Sequence, residues 1–241
     1  MTGNALSDVA AWLRPAGWPA LADASRERVR ALAWFAICAQ VLFIAGWIVG
    51  WLLEPGYSPV RMYISELGRR GAAHPWIFDA SIVVWGIGFI ALAMALLPAL
   101  RTRPWARVAP SLFALAGIFA MLDAPLSLDC ADSVSRACKA RQAAGALSWH
   151  HYGHLWASLG IQIALVLTPF ALARATWPSR LARLMLIGGV LVALLLGVAF
   201  LADFDQNGSA GLGQRVQVLV VHGWVLLCAA ALIVESRPGS T

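Results

Sequence analysis

Charge is scarce in this chain. Only 12% of its 241 residues are Asp, Glu, Lys or Arg, about half the ~25% of an ordinary soluble domain. A chain so poor in charge cannot cover a water-facing globule, and mean hydropathy is high at +0.73. Linkers and internal repeats are also lacking, so nothing divides the chain into separate domains. An apolar leader is missing too. Residues 1–30 carry Asp8, Arg14, Asp23, Arg26, Glu27, Arg28 and Arg30, which argues against a cleavable signal peptide. The segment DVAAWLRPAGWPAL reads either as a surface-lying amphipathic stretch anchored by Trp12 and Trp18 or as a solvated tail.

What the chain has instead is long apolar runs, with 60% hydrophobic residues overall. Six stretches are long enough to cross a bilayer: Ala31–Leu53, Trp76–Leu97, Trp105–Leu126, His150–Ala173, Leu181–Ala202 and Val216–Val234. Each matches a hydrocarbon core of about 30 Å at 1.5 Å per residue. The expected fold is all-α, a six-helix transmembrane bundle over residues 31–235. A cytoplasmic segment, 1–30, precedes it and a cytoplasmic tail, 236–241, follows. The net charge of +6 and pI near 9.8 would suggest nucleic acid in a soluble chain. Here the basic residues flank apolar spans, so the partner is membrane lipid and no nucleic acid is expected.

The basic residues also set the orientation. With the N-terminus inside, Arg14, Arg26, Arg28, Arg30, Arg101, Arg103, Arg107, Arg174, Arg180, Arg183 and Arg237 are cytoplasmic. Arg61, Arg69, Arg70, Arg136, Lys139, Arg141 and Arg215 lie on the other side. Both termini are therefore expected in the cytoplasm of a multi-pass protein. The bacterial style of the chain makes the membrane a bacterial inner (plasma) membrane. Cys130 and Cys138 fall in an exported loop, where an oxidising compartment favours a disulfide. This pair alone falls short of the four ligands of a structural zinc site. Cys38 and Cys228 lie within spans and read as packing residues.

Ionisable residues inside spans are costly and often functional, and here they crowd one end. Asp79 is expected in the first turn of the second span and Asp123 in the last turn of the third. His150, His151 and His154 open the fourth, and Asp203 ends the fifth. Gln214 and Arg215 open the sixth, with His222 about two turns deeper. The opposite half offers little beyond Gln40, Gln162 and Thr168. This asymmetry suggests a polar cavity opening outward. Each member also has a plain reading: Asp79 serving a helix N-terminus, Asp123 pairing with Arg215, His150 resting among headgroups. His222 is deep enough to require a hydrogen-bond partner. Structural networking and a ligand or catalytic site both stand as readings of the cluster. If a metal such as zinc binds, His151, His154, His222 and Asp123 are the expected ligands. Separately, DFDQNGSAGLGQ begins like a calcium loop, with Asp203, Asp205, Asn207 and Gly208 in register. Gln214, however, stands where a bidentate Glu is needed.

One segment carries a family likeness. SELG at Ser65–Gly68 is followed by HPWIFDAS running into the second helix, then by the acidic loop LSLDCADSVSRAC. A histidine-led fourth helix and GQRVQVLVVHGW entering the sixth complete the pattern. Over roughly residues 30–235 the chain resembles the family catalogued as domain of unknown function 998, membrane proteins of about six spans. That family is similar to a broader set of eukaryotic six-span proteins, including ones linked to GPI-anchor lipid maturation and to lipid or autophagy regulation. The resemblance implies a lipid-related role in the outer half of the bundle.

Three functions are consistent with these residues. The first is a lipid- or amphiphile-binding protein whose pocket draws on Ser65, Glu66, Asp79, Asp123, His151, His154, Asp203, Arg215 and His222, with Arg215 or Arg69 meeting an anion. The second is an intramembrane hydrolase or acyltransferase using zinc or a His–Asp pair acting on Ser65. The third is a structural or assembly subunit, its twelve tryptophans serving packing and interface anchoring.

Overall fold

The computed structural model describes residues 23–103, 105–204 and 208–236. Seven α-helices are described: α1 Asp23–Leu53, α2 Pro75–Leu100, α3 Val108–Asp123, α4 Arg136–Ala143, α5 Trp149–Thr176, α6 Arg180–Phe204 and α7 Ala210–Glu235. A short 3₁₀ turn, Ile64–Gly68, lies between α1 and α2. Among the described residues there is no β-strand. Five helices (α1, α2, α5, α6 and α7) are long and apolar enough to cross a membrane. The chain is a multi-pass membrane protein.

The helices run past the predicted spans at their water-facing ends. α1 begins at Asp23 because Arg26, Glu27, Arg28 and Arg30 are good helix formers that extend it beyond the apolar run. α2 gains Pro75 at its first position, where the missing N–H costs nothing. One expectation fails here: Asp79 lies beyond the first turn of α2, which contains no acidic residue. Ser148 caps α5, accepting from the His151 N–H at 3.4 Å. α7 starts six residues before the predicted Val216, so Gln214 and Arg215 sit inside the helix rather than at its start. The third predicted span is shorter than expected. α3 has 16 residues, about 24 Å long, because Trp105 takes a positive φ of 67° and leads in through a turn.

Packing follows chain order and then closes. α1 packs on α2, α2 on α3, α3 on α5, α5 on α6, α6 on α7, and α7 returns to α1. The result is a ring of six helices, with α4 outside it in the loop before α5. The α2–α3 crossing is tight. A methyl on Gly86 would sit 2.6 Å from the Gly117 carbonyl oxygen, and one on Gly117 would sit 2.5 Å from that of Gly86. Small residues let two backbones approach this closely where lipid supplies no hydrophobic drive between helices. Exposed large side chains such as Leu52, Ile187, Leu194 and Val198 cover the outer faces, as lipid contact requires.

Three connections gather at one end of the ring: residues 54–74, 124–148 and the start of α7. The Arg70 N–H donates to the Leu128 carbonyl at 2.8 Å, and the Leu212 N–H to that of Val60 at 2.9 Å. Cys130 and Cys138 are disulfide-bonded, joining the loop to the start of α4. Cys228 is buried, whereas Cys38 faces outward.

Candidate functional site

The gathered connections form a cap, and named side chains pin it down. Glu66, fully buried, accepts from the Tyr63 N–H at 3.0 Å. It also accepts from the Ser133 N–H at 3.0 Å and the Ser133 hydroxyl at 2.6 Å. Burial pushes this carboxyl up to about 7, against the opposing pull of the Ser133 hydrogen bonds and with Asp132 adding to the rise. Glu54 bonds Arg69 at 2.5 Å and the Ala73 N–H at 2.6 Å. Arg70 pairs with Asp129 at 3.1 Å and contacts His150 at 2.9 Å. Slight burial opposes ionisation of Asp129. Hydrogen bonds from the Ser148 N–H and hydroxyl, with Arg70 and His151 alongside, hold it below the usual carboxylate range.

Arg215 reaches up from α7 into the same cap. It donates to the carbonyls of Met62 (2.8 Å) and Gly211 (2.9 Å), and to the Tyr57 hydroxyl (2.5 Å). Its guanidinium also lies over the rings of Trp47 and Tyr57, 5.4 and 5.5 Å from their centroids. Neutral oxygens and aromatic faces thus hold this buried cation. Burial pushes the Tyr57 phenol up to about 12, although Arg215 pulls the other way. The phenol stays protonated and donates to the Tyr63 carbonyl at 2.8 Å.

Beneath the cap lies a small cavity of about 70 Å³, open on one side. Ile64 and Ser65 roof it. α2 lines it from Phe78 to Trp85, α5 from Ser158 to Leu165 and α7 from Gln214 to Val221. Each stretch is eight residues, about 10 Å of helix from first to last. The lining divides in two. Ser65, Asp123, Ser158, Gln162, Gln214 and Gln217 are polar, while Phe43, Phe78, Ile82, Trp85 and their neighbours are apolar. Gln214 accepts from the Ile64 N–H at 2.6 Å, and Gln217 donates to Gln162 at 2.8 Å.

The histidines take separate partners. His151 Nδ1 accepts from the Asp129 N–H at 3.3 Å. The ring proton therefore sits on Nε2, facing Gln142 Oε1 at 3.3 Å. His154 Nδ1 meets the Leu126 carbonyl at 3.0 Å and Asp123 at 3.2 Å. Both partners accept, so Nδ1 carries the proton, and the buried Nε2 has no partner. The Ser158 hydroxyl donates to the same Asp123 oxygen at 3.1 Å. Serine and histidine thus share one carboxylate and are not bonded to each other, whereas an activated nucleophile needs its base on the hydroxyl itself. His222 Nδ1 bonds Gln40 Oε1 at 2.5 Å, an oxygen that also accepts from Trp85 at 2.8 Å.

Of the residues singled out in the sequence, Ser65 and Asp123 line the cavity. Glu66 and Arg215 build its cap, and His154 stands behind Asp123. Arg215 does not meet Asp123. Arg69 is tied to Glu54, and His151 belongs to the loop network. Asp79 is half-buried, close to Gly68: a methyl there would meet its Oδ1 at 3.1 Å. The α6 backbone includes Asp203, but its side chain is outside the described residues, as are Asp205, Asn207, the segment containing Trp12 and Trp18, and the tail beyond residue 236. Among the described residues no three His, Cys, Asp or Glu side chains converge as metal ligands. The sequence reading passed over Ser158 and Gln217. Their signal was spacing: Ser158 with Gln162 at i, i+4 and Gln214 with Gln217 at i, i+3 each put two polar groups on one helix face.

Over residues 37–231, most of its length, the chain matches a family described as Protein of unknown function (DUF998). No curated protein and no solved structure matches it.

Proposed function

This chain belongs to the family of proteins of unknown function DUF998, and we propose that it is a six-span membrane protein that binds a lipid headgroup or small amphiphile in the cavity under its cap. One observation carries this reading. A cavity lined on α2 by Phe78, Ile82 and Trp85 carries, on α5 and α7, Ser158, Gln162, Gln214 and Gln217 beside aliphatic residues, a mixed lining suited to a molecule with a head and a chain. Hydrogen-bonded serine and glutamine side chains are the usual means of fixing orientation in such a site.

α3 supplies the sixth span. Its place in the closed ring, between α2 and α5, supports this despite its length, since a short helix is accommodated by local thinning of the bilayer. The cap faces outward and both termini are cytoplasmic, in keeping with the excess of arginine on the other side. Reporter fusions after Arg103 and Ala140 then read inside and outside, and the reverse pattern refutes the orientation.

The binding reading is tested by native mass spectrometry on protein purified in mild detergent. The wild type retains one amphiphile per chain. Val218→Phe, which fills the cavity from α7, loses it. A wild type that retains none, even after incubation with total membrane lipid, overturns the proposal.

A further inference from the structure

We infer that the headgroup taken by this cavity is uncharged and built of hydroxyl groups, an inference that rests on the amphiphile-binding reading above. The argument begins with which atoms of the polar wall are already used. Gln214 spends its carbonyl oxygen on the Ile64 N–H, leaving its amide NH₂ to donate. Gln162 spends its oxygen on Gln217, leaving an NH₂ on Gln162 and a carbonyl oxygen on Gln217. Ser158 donates to Asp123, leaving oxygen lone pairs to accept. The lining therefore presents amide donors and oxygen acceptors together.

A hydroxyl group both donates and accepts, so it satisfies such a mixed wall. A phosphate offers acceptors only and brings a negative charge that, among the described residues, no arginine, lysine or histidine lining the cavity balances. The nearby cations are committed elsewhere. Arg215 is held by Met62, Gly211 and Tyr57, Arg69 by Glu54, and Arg70 by Asp129. An ammonium group fails on the other side. It offers donors only and would leave the NH₂ groups of Gln162 and Gln214 without acceptors in a partly desolvated site. The expectation that an arginine meets an anionic headgroup is thus replaced by one in which the arginines hold the cap and amides read the head.

The test uses the full-length protein in lipid nanodiscs with three single-chain probes of equal chain length: a monoacylglycerol, an alkyl phosphate and an alkylamine. Competition is read by native mass spectrometry. The monoacylglycerol is expected to bind at least tenfold more tightly than either charged probe. Gln217→Met is expected to erase that preference while leaving the melting temperature close to wild type. Equal or tighter binding of the alkyl phosphate or the alkylamine overturns the inference and leaves the pocket standing. Unchanged preference in Gln217→Met also overturns it. If none of the three probes is retained by the wild type, the pocket reading itself falls.

Discussion

At the capped end, side chains bond across long stretches of sequence. Ser133 reaches Glu66, Gln214 reaches Ile64, and Arg215 reaches Tyr57 and Met62. At the other end they bond locally. Thr168 donates to the Ala164 carbonyl at 2.7 Å and Thr176 to that of Leu172 at 2.7 Å, each within its own helix. Leu96, Leu100, Phe113, Met185 and Leu232 are fully buried there. One end is assembled by directional bonds between loops, the other by close packing of small and branched side chains. The cavity at this packed end, lined by Phe170, Ala173, Arg174, Trp177 and Leu186, is mostly apolar. The directional end leaves polar atoms to spare, and the cavity opens beneath it.

The sharpest way to break this contrast is to damage the packed end. Phe113→Ala removes a fully buried ring that lies 5.8 Å from Phe89 and 5.6 Å from Trp224, centroid to centroid. It is expected to cost about 3–5 kcal/mol, read as a large fall in melting temperature in detergent, with amphiphile retention intact in the surviving folded fraction. Loss of retention at unchanged stability would mean the two ends are not separate.

Arg215→Met tests the cap. It strips donors from two carbonyls and a phenol, for a loss of about 2–3 kcal/mol. In this case retention is expected to fall along with stability, because the roof formed by Ile64 and Ser65 is released. A variant as stable as wild type that still retains its amphiphile would remove the pinning role.

The smallest effect is a pH dependence at Glu66. Its folded-state value of about 7 lies above the ordinary 4.5, so the folded protein binds more protons than the unfolded chain between those values. Its contribution to stability is fully present below about pH 4.5 and is lost as pH rises toward 7, a change on the order of 2 kcal/mol. Melting curves across that range should show the decline, and Glu66→Gln should flatten it. An equal slope in Glu66→Gln would assign the titration to another group.

The helices were largely legible in the sequence, because apolar runs of bilayer length leave the backbone no other way to satisfy its hydrogen bonds. The crowding of polar residues at one end was legible for the same reason: each is expensive and so stands out. Their pairing was not. Asp123 had Arg215 and His154 as available partners, and the choice depends on how α3 and α5 rotate against each other. Arg215 was read as a ligand-facing charge because a sequence shows the cation without showing the carbonyls of Met62 and Gly211 that hold it. Ser158 and Gln217 were overlooked because uncharged polar residues inside a span draw little notice singly.

The closed ring has a consequence for the order of synthesis. α7 is made last, yet it supplies the wall containing Gln214 and Gln217, the arginine that pins the cap, and the seam with α1. The Ile64 N–H finds its acceptor 150 residues later in the chain. Without α7, the five other helices of the ring leave an open edge between α6 and α1. The cavity is therefore complete only once α7 has docked, and a chain truncated before residue 210 would lack the wall that α7 supplies.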